Sequence, residues 1–514
     1  MKNKLFFYIK NFYFIAPIIF YFGERSLVAY DEGIYALQAK WILENNNWIT
    51  PMKWGAVVDD RTIGIQFLIA FFQKLLGQHL FVIYIPSLIF GILMIWFTFE
   101  LHKDLTNRPL AIISPLILST TYLWINYFHM ATQDIIFASL TTLGIFASIK
   151  SYKTKKEIYL FFSGAWIGLA VMMKTYLVII PLIAITPFLW KTKIIKENYF
   201  WIGFFVGFLP FFTWSILMIS INGWGIYSGL YSKLVSLSEN NVFTNPFYYY
   251  LWNFTINTLP WSIFSIIGFI QITRTENKLA NYFLFKYPLF IMILLSIFST
   301  KTPYYPLQII SLTSINAFLG INYFFSMKNK IRELLNKFLF TLIPCFLLAS
   351  LLYLNINKTM ISIDKYHLTL INLCLIIFSI SWLSLNFFKK LKNQFIIIMI
   401  GPYLMASILV QSGIFNDRSK AIRIEAQKAI NQENLSQNKV EIITSGLKDV
   451  NATKTIIKLA LFMPNLGNGV NSFNELKNNQ YAWIALKEEN LVKKYKNKIV
   501  YDSENLYPWK LIIK

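Results

Sequence analysis

AYDEGIYALQAKWILENNNWITP, residues 29–51, follows directly on the first long apolar segment of this 514-residue chain and sets adjacent carboxylates, Asp31 and Glu32, at a membrane border. From Ile34 to Leu43 the spacing predicts a short helix, with Ile34, Leu37 and Trp41 three and four residues apart on one side. Such a helix is expected to lie along the bilayer surface, apolar side down. The carboxylate pair has two readings: chemistry at the membrane face, or an ordinary solvated helix start, because acids suit a first helical turn.

Composition explains why a membrane is in question at all. The chain is 56% hydrophobic and only 14% charged, more apolar surface than a soluble domain can hide. Its formal net charge of +23 could suggest nucleic acid, but the lysines come in short clusters between apolar runs. Multi-span membrane proteins hold their orientation in that way, and nucleic-acid binding is set aside. Cys345 and Cys374 both fall inside apolar runs, which argues against a disulfide framework or thiolate metal site. The first apolar segment lacks a small-residue cleavage site and reads as a retained helix rather than a signal peptide.

Runs of spanning length begin near Leu5, Phe81, Pro109, Ala131, Ile158, Tyr176, Tyr199, Leu259, Tyr282, Tyr304, Phe338, Leu368 and Phe395, about thirteen spans in all. Ile63 to Leu76 carries Gln66, Gln73 and Lys74 and reads as a surface or re-entrant helix instead. Basic clusters fall in every second loop: at Lys2 to Lys10, Lys103 and Arg108, Lys150 to Lys156, Lys191 to Lys196, Arg274 and Lys278, Lys328 to Lys337, and Lys389 to Lys392. The positive-inside rule therefore predicts a cytoplasmic amino terminus in the inner (plasma) membrane. Residues 24–61, the aromatic stretch 222–258 and the tail then lie outside. The tail is Lys-, Asn- and Glu-rich without a spanning run. KVEIIT (439–444), YAWIAL (481–486) and KIVY (498–501) read as strands, Ser419 to Ile430 and Thr453 to Met463 as helices. The expected architecture is an all-α polytopic membrane domain, residues 1–415, followed by a small extracytoplasmic α/β soluble domain, residues 416–514.

Ionisable groups at membrane depth are costly, so each is a functional candidate. Here Asp31, Glu32, Asp60, Arg61, His129, Asp134, Lys174 and Lys301 all map to the outer border, with Tyr304 and Tyr305 beside the last. Singly, Lys174 or Lys301 reads as a lysine snorkelling at a span end, Asp134 as a helix cap, and His129 as an interfacial aromatic rather than a metal ligand. Together they suit an anionic, lipid-anchored substrate: cations to hold a phosphate and a carboxylate to take a proton.

At these residues the chain resembles the C-type (GT-C) membrane glycosyltransferases, in the branch of the lipid A aminoarabinose transferases and the dolichyl-phosphate-mannose protein mannosyltransferases. The resemblance runs through Asp31-Glu32 and the helix after it, MATQD (130–134), Lys174, PFYYYLWNFTINTLPW (246–261) and KTPYYPLQ (301–308), covering most of residues 1–325. It implies a hexosyl- or pentosyltransferase that moves a sugar from a polyprenyl phosphate to a lipid, glycan or protein acceptor in the cell envelope. By position, Asp31 matches the family's first acid, the general base, Glu32 follows it, and Asp134 matches the second acid. Arg61, Lys174, Lys301 and Tyr305 match groups near the donor phosphate. No cofactor is expected: a divalent ion is conceivable through Asp31, Glu32, Asp134 and His129, but no ligand-spacing motif assigns one.

Two departures stand out. Asp60-Arg61-Thr62-Ile63 replaces the family's lysine and following prolines, and residues 222–245 offer only Lys233 as a cation. They keep open a catalytically degenerate assembly subunit, while charge in a membrane cavity would also suit a lipid-linked-sugar flippase. A transporter, however, is expected to show midplane charges and internal repeats, and neither is evident.

Overall fold

The computed structural model describes residues 13–106, 109–239, 244–328, 330–357 and 365–514, with the side chains of Asp31 and residues 236–239 outside that description. The expected first span near Leu5, with its lysines, therefore lies largely outside the described residues. Among the described residues, nine helical runs are long and apolar enough to cross a membrane. A tenth is formed if Tyr249–Asn257 and Trp261–Thr273, bent by 119°, make one broken span.

Three of the expected runs are not separate straight helices. The run from Pro109 is two seven-residue helices, Ile113–Ser119 and Tyr122–Phe128, interrupted at Thr120-Thr121. The runs at Ile158 and Tyr176 join into one 35-residue helical stretch, Glu157–Lys191. It contains a break, because Thr175 adopts φ 38°.

Packing shows that the chain doubles back after this break. Tyr199 hydrogen-bonds Glu157, so the Glu157–Lys174 and Asn198–Asn222 helices start side by side. They also pack in parallel: a Cβ on Gly164 would meet Phe200 O at 2.1 Å, and one on Gly168 would meet Gly207 C at 2.3 Å. Small residues permit such backbone contact where lipid supplies no hydrophobic drive. Parallel neighbours require the intervening residues 175–197 to return the full helix length. The Gly64–Leu76 helix, at 13 residues, is too short to span, as its glutamines and lysine suggest.

Charge joins two helices at the lysine-rich end of the bundle. Lys150 Nζ lies 3.4 Å from Glu100 and 2.8 Å from Asp104, and Lys153 Nζ lies 3.3 Å from Asp104. The C-terminal turns of Ile85–Thr106 and Gln133–Thr154 therefore sit together, and their lysines share one end.

The tail carries a five-stranded sheet in the order Asn465–Val470, Lys439–Ile443, Tyr481–Ala485, Trp509–Ile513, Ile499–Tyr501. Its first three strands are parallel and the last two pair antiparallel. Three expected strands and both expected helices are present, the helices as Lys420–Gln432 and Val450–Phe462. Two further strands were not expected. Asn465–Val470 (NLGNGV) is poor in β-branched residues, whereas Trp509–Ile513 (WKLII) carries strand-forming residues that the sequence reading passed over.

The helix after Asp31-Glu32, Ile34–Asn45, corrects one expectation. Its apolar side does not face lipid. Ile34, Leu37 and Trp41 join Ile456, Ile457 and Trp483 in the core of the tail domain. Tyr35, Ala36, Ala39 and Ile42 join the core of the membrane bundle instead. Eight of its twelve residues are buried, so the helix is sandwiched between the two bodies. Gly33 permits the approach: a Cβ there would meet Val28 O at 2.9 Å and Ile457 at 3.0 Å. The start of the tail is tied to the same loop, with Arg25 donating to Asn416 Oδ1 at 2.7 Å and Arg423 paired with Glu24 and Asp417.

Candidate functional site

Asp31 and Glu32 lie in a five-residue π-helical turn, Ala29–Gly33, that leads into the sandwiched helix. The Asp31 carboxylate lies outside the described residues. Glu32, expected beside it in the chemistry, is only 2% exposed. Its Oε1 accepts from Val28 N at 2.9 Å and its Oε2 from Ala131 N at 2.8 Å. Burial pushes its pKa up, opposed by the charge of Arg418, those two N–H groups and Arg25. As the structure stands Glu32 is a brace, tying the Asp31 turn to the MATQD segment a hundred residues on.

That segment opens the Gln133–Thr154 helix, and Asp134 lies in its first turn. Asp134 does not cap the helix. It is ion-paired with Lys174, the last residue of Glu157–Lys174, and both side chains are almost wholly buried. The Lys174 ammonium also lies over two aromatic rings, 4.5 Å from the centroid of Tyr304 and 5.4 Å from that of Tyr305. A cation over ring faces and against a carboxylate is held in place without help from water.

Arg61 reaches the same neighbourhood along a short connection. The Thr62 hydroxyl donates to Met172 O at 2.8 Å, two residues before Lys174, and Gly64 packs against the same carbonyl. The guanidinium grips Asp60 with two bonds, Nε to Oδ1 at 2.7 Å and Nη2 to Oδ2 at 2.8 Å. Burial works against its charge, but bonding to Asp60 and Tyr35 outweighs burial and raises its pKa. For Asp60, burial is likewise outweighed, here by Arg61 and Lys233, and its pKa falls below the ordinary carboxylate value. Lys233 Nζ stands 4.0 Å from Asp60, and Lys53 feels both members of the pair.

Tyr35 connects the two groups. Its ring centre lies 5.5 Å from the Arg61 guanidinium carbon, and it is an electrostatic neighbour of Tyr304. Sequence reading passed over it, although its position one helical turn after Asp31 was the available signal.

Two candidates take other roles. Lys301 is 4% exposed, and its amine donates to Asn245 O at 2.9 Å and Phe298 O at 2.5 Å. With the Thr244–Thr300 bridge and the Tyr250 hydroxyl on Thr302 O, it clamps residues 244–250 to the KTPYY segment. Two of its three donors are therefore engaged by backbone rather than held open. His129 is buried, stacks on Tyr84 and donates from Nε2 to Ile18 O at 2.7 Å. Burial lowers its pKa to about 3, so the ring is neutral and part of the interior. Among the described residues no group of three or more His, Cys, Asp or Glu side chains is arranged to hold a metal ion.

Known proteins resemble this chain in sequence and in fold. Residues 60–217 match the dolichyl-phosphate-mannose-protein mannosyltransferase family. An uncharacterized protein of Aquifex aeolicus is 22% identical over 364 residues, 67% of this chain and 70% of the relative. The undecaprenyl phosphate-alpha-4-amino-4-deoxy-L-arabinose arabinosyl transferase of Wigglesworthia glossinidia brevipalpis is 25% identical over 288 residues, 53% of this chain and half of the transferase. The crystal structure of ArnT from Cupriavidus metallidurans bound to undecaprenyl phosphate superposes with TM-score 0.77 at 13% identity, covering 99% of this chain and 98% of that one. The chain thus shares the fold of ArnT over nearly its whole length, and residues 60–217 resemble the dolichyl-phosphate-mannose-protein mannosyltransferase family.

Proposed function

We propose that the chain is an inner-membrane glycosyltransferase that moves a sugar from a polyprenyl phosphate to a lipid, glycan or protein acceptor outside the membrane. The observation that carries the reading is the assembly, from four distant stretches, of Asp134, Lys174, Tyr304 and the Asp60-Arg61 pair beside the Asp31 turn. The fold supplies the context, since a relative sharing it binds undecaprenyl phosphate.

In this reading the anomeric C–O bond breaks and its electron pair stays on the phosphate oxygen. Arg61 and Lys174 stabilise that growing charge without donating a proton. The acceptor oxygen bonds to the opposite face of the anomeric carbon, and Asp31 takes its proton, giving inversion in a single displacement. The pairing of Asp134 with Lys174 supports this division of labour, because that carboxylate is already engaged by an ammonium. No metal is required by these steps and none is assigned. The amino terminus is cytoplasmic and the tail domain extracytoplasmic.

The test is mass spectrometry of envelope glycolipids and glycoproteins from a strain lacking this chain. One sugar missing from one acceptor, restored by the wild-type chain, is the expected result. An unchanged envelope contradicts the reading.

A further inference from the structure

We propose that Asp60 sets the charge specificity of the phosphate site, letting Arg61 hold a singly charged donor while disfavouring the doubly charged product. The inference rests on the reading of Arg61 as a phosphate anchor and goes beyond it to a residue of this chain's own departing Asp-Arg-Thr-Ile sequence.

The edge of a guanidinium formed by Nε and Nη2 is one of the two that grip carboxylate or phosphate with two parallel bonds. In Arg61 that edge is on Asp60, at 2.7 and 2.8 Å. A phosphate arriving at this edge and the Asp60 carboxylate are therefore alternatives. Arg61 does not depend on Asp60 for its place: Tyr35 packs on the guanidinium, and Thr62 and Gly64 are fixed against Met172. Asp60 is itself kept close. The Gly225–Glu239 helix lies directly over the preceding residue, since a Cβ on Gly229 would meet Asp59 O at 2.6 Å, and Lys233 of that helix stands 4.0 Å from Asp60. Displaced from Arg61, the carboxylate remains next to whatever the arginine holds.

Donor and product differ in the charge that this neighbour meets. A sugar-linked polyprenyl phosphate is a diester with one negative charge. The polyprenyl phosphate left after transfer is a monoester carrying about one and a half to two at pH 7. Repulsion energy grows in proportion to charge, so a carboxylate that weakens diester binding by one factor weakens dianion binding by nearly the square of it. Release of the spent lipid is favoured over loss of the donor.

The experiment measures equilibrium binding to the purified full-length protein in nanodiscs. Its probes are undecaprenyl phosphate and its methyl ester, a monoester and a diester on one lipid. Asp60→Asn is expected to tighten the monoester roughly tenfold and the diester roughly threefold, effects that shrink as salt rises. Asp60→Glu keeps the charge and is expected to retain the wild-type ratio. Equal tightening of both probes, no change, or weaker binding in Asp60→Asn overturns the proposal while leaving Arg61 as the anchor. Arg61→Gln is expected to weaken both probes; if it alters neither, the anchor reading fails, and the proposal with it. Thermal unfolding of each variant, expected to match wild type, separates these outcomes from misfolding.

Discussion

Two ion pairs flank the candidate site, and they are built differently. Asp134 and Lys174 come from the ends of separate helices forty residues apart and are almost wholly buried under Tyr304 and Tyr305. Asp60 and Arg61 are adjacent in sequence, and their side chains keep 32% and 24% of their exposure. The first pair exists only because the bundle folds; the second forms between sequence neighbours and, in the proposed reading, is opened by a competing phosphate. Structure and ligand response are thus divided between them, and each division can be tested.

Breaking the buried pair has the largest expected effect. Lys174→Met leaves Asp134 buried without a partner and is expected to cost about 3–5 kcal/mol of stability, read as thermal unfolding in detergent. Adding Asp134→Leu is expected to restore most of that stability but no transfer. If the double variant stays as unstable as the single one, burial of an unpaired charge was not the cause. Arg61→Gln reverses the pattern: transfer is expected to fall about 10²–10³-fold, while stability changes by about 1 kcal/mol, because the pair keeps part of its exposure and forms between sequence neighbours. Equal losses of stability from Lys174→Met and Arg61→Gln would erase the distinction between the two pairs.

The brace between them comes next. Glu32→Ala strands the N–H groups of Val28 and Ala131 and is expected to cost about 1–3 kcal/mol. A variant as stable as wild type would show that the carboxylate is not tying those segments together.

The smallest effect concerns the tail domain. Lys40, on the sandwiched helix, donates to Met463 O of the tail, and burial lowers its pKa to about 8, with Glu44 opposing. Folded protein then binds fewer protons than unfolded between about pH 8 and the ordinary lysine value of 10.5, so this group's contribution to stability rises with pH across that window. Lys40→Met is expected to flatten the melting-temperature profile there by a few degrees. An unaltered profile would remove Lys40 from the linkage.

Much of this was readable from residues alone, and the division has physical causes. Apolar runs and alternating lysine clusters respond to the bilayer itself, so they mark the bundle and gather the charged candidates at one end. Asp134 and Lys174 were visible as unusual groups at span edges. Their pairing was not, because it depends on how the start of Gln133–Thr154 packs against the end of its antiparallel neighbour Glu157–Lys174. Glu32 looked like a partner of Asp31 because it adjoins it; the N–H of Ala131 that claims it is a hundred residues away. The stripe Ile34, Leu37, Trp41 was legible as apolar, but a neighbouring domain buries it as well as lipid would. The opposite face, with Ala36 and Ala39, gives little hydrophobic signal. Lys301 carried the right charge, yet only the folded loop reveals the carbonyls that occupy it.

The account stands or falls on Asp31 as the group that takes the acceptor's proton. Asp31→Asn, returned to a strain lacking the chain at wild-type abundance and melting temperature, tests it through the envelope sugar measured by mass spectrometry. Transfer is expected to fall by about 10²–10⁴-fold, leaving the envelope like that of the deletion strain. Restoration of the sugar to the wild-type level would contradict the assignment.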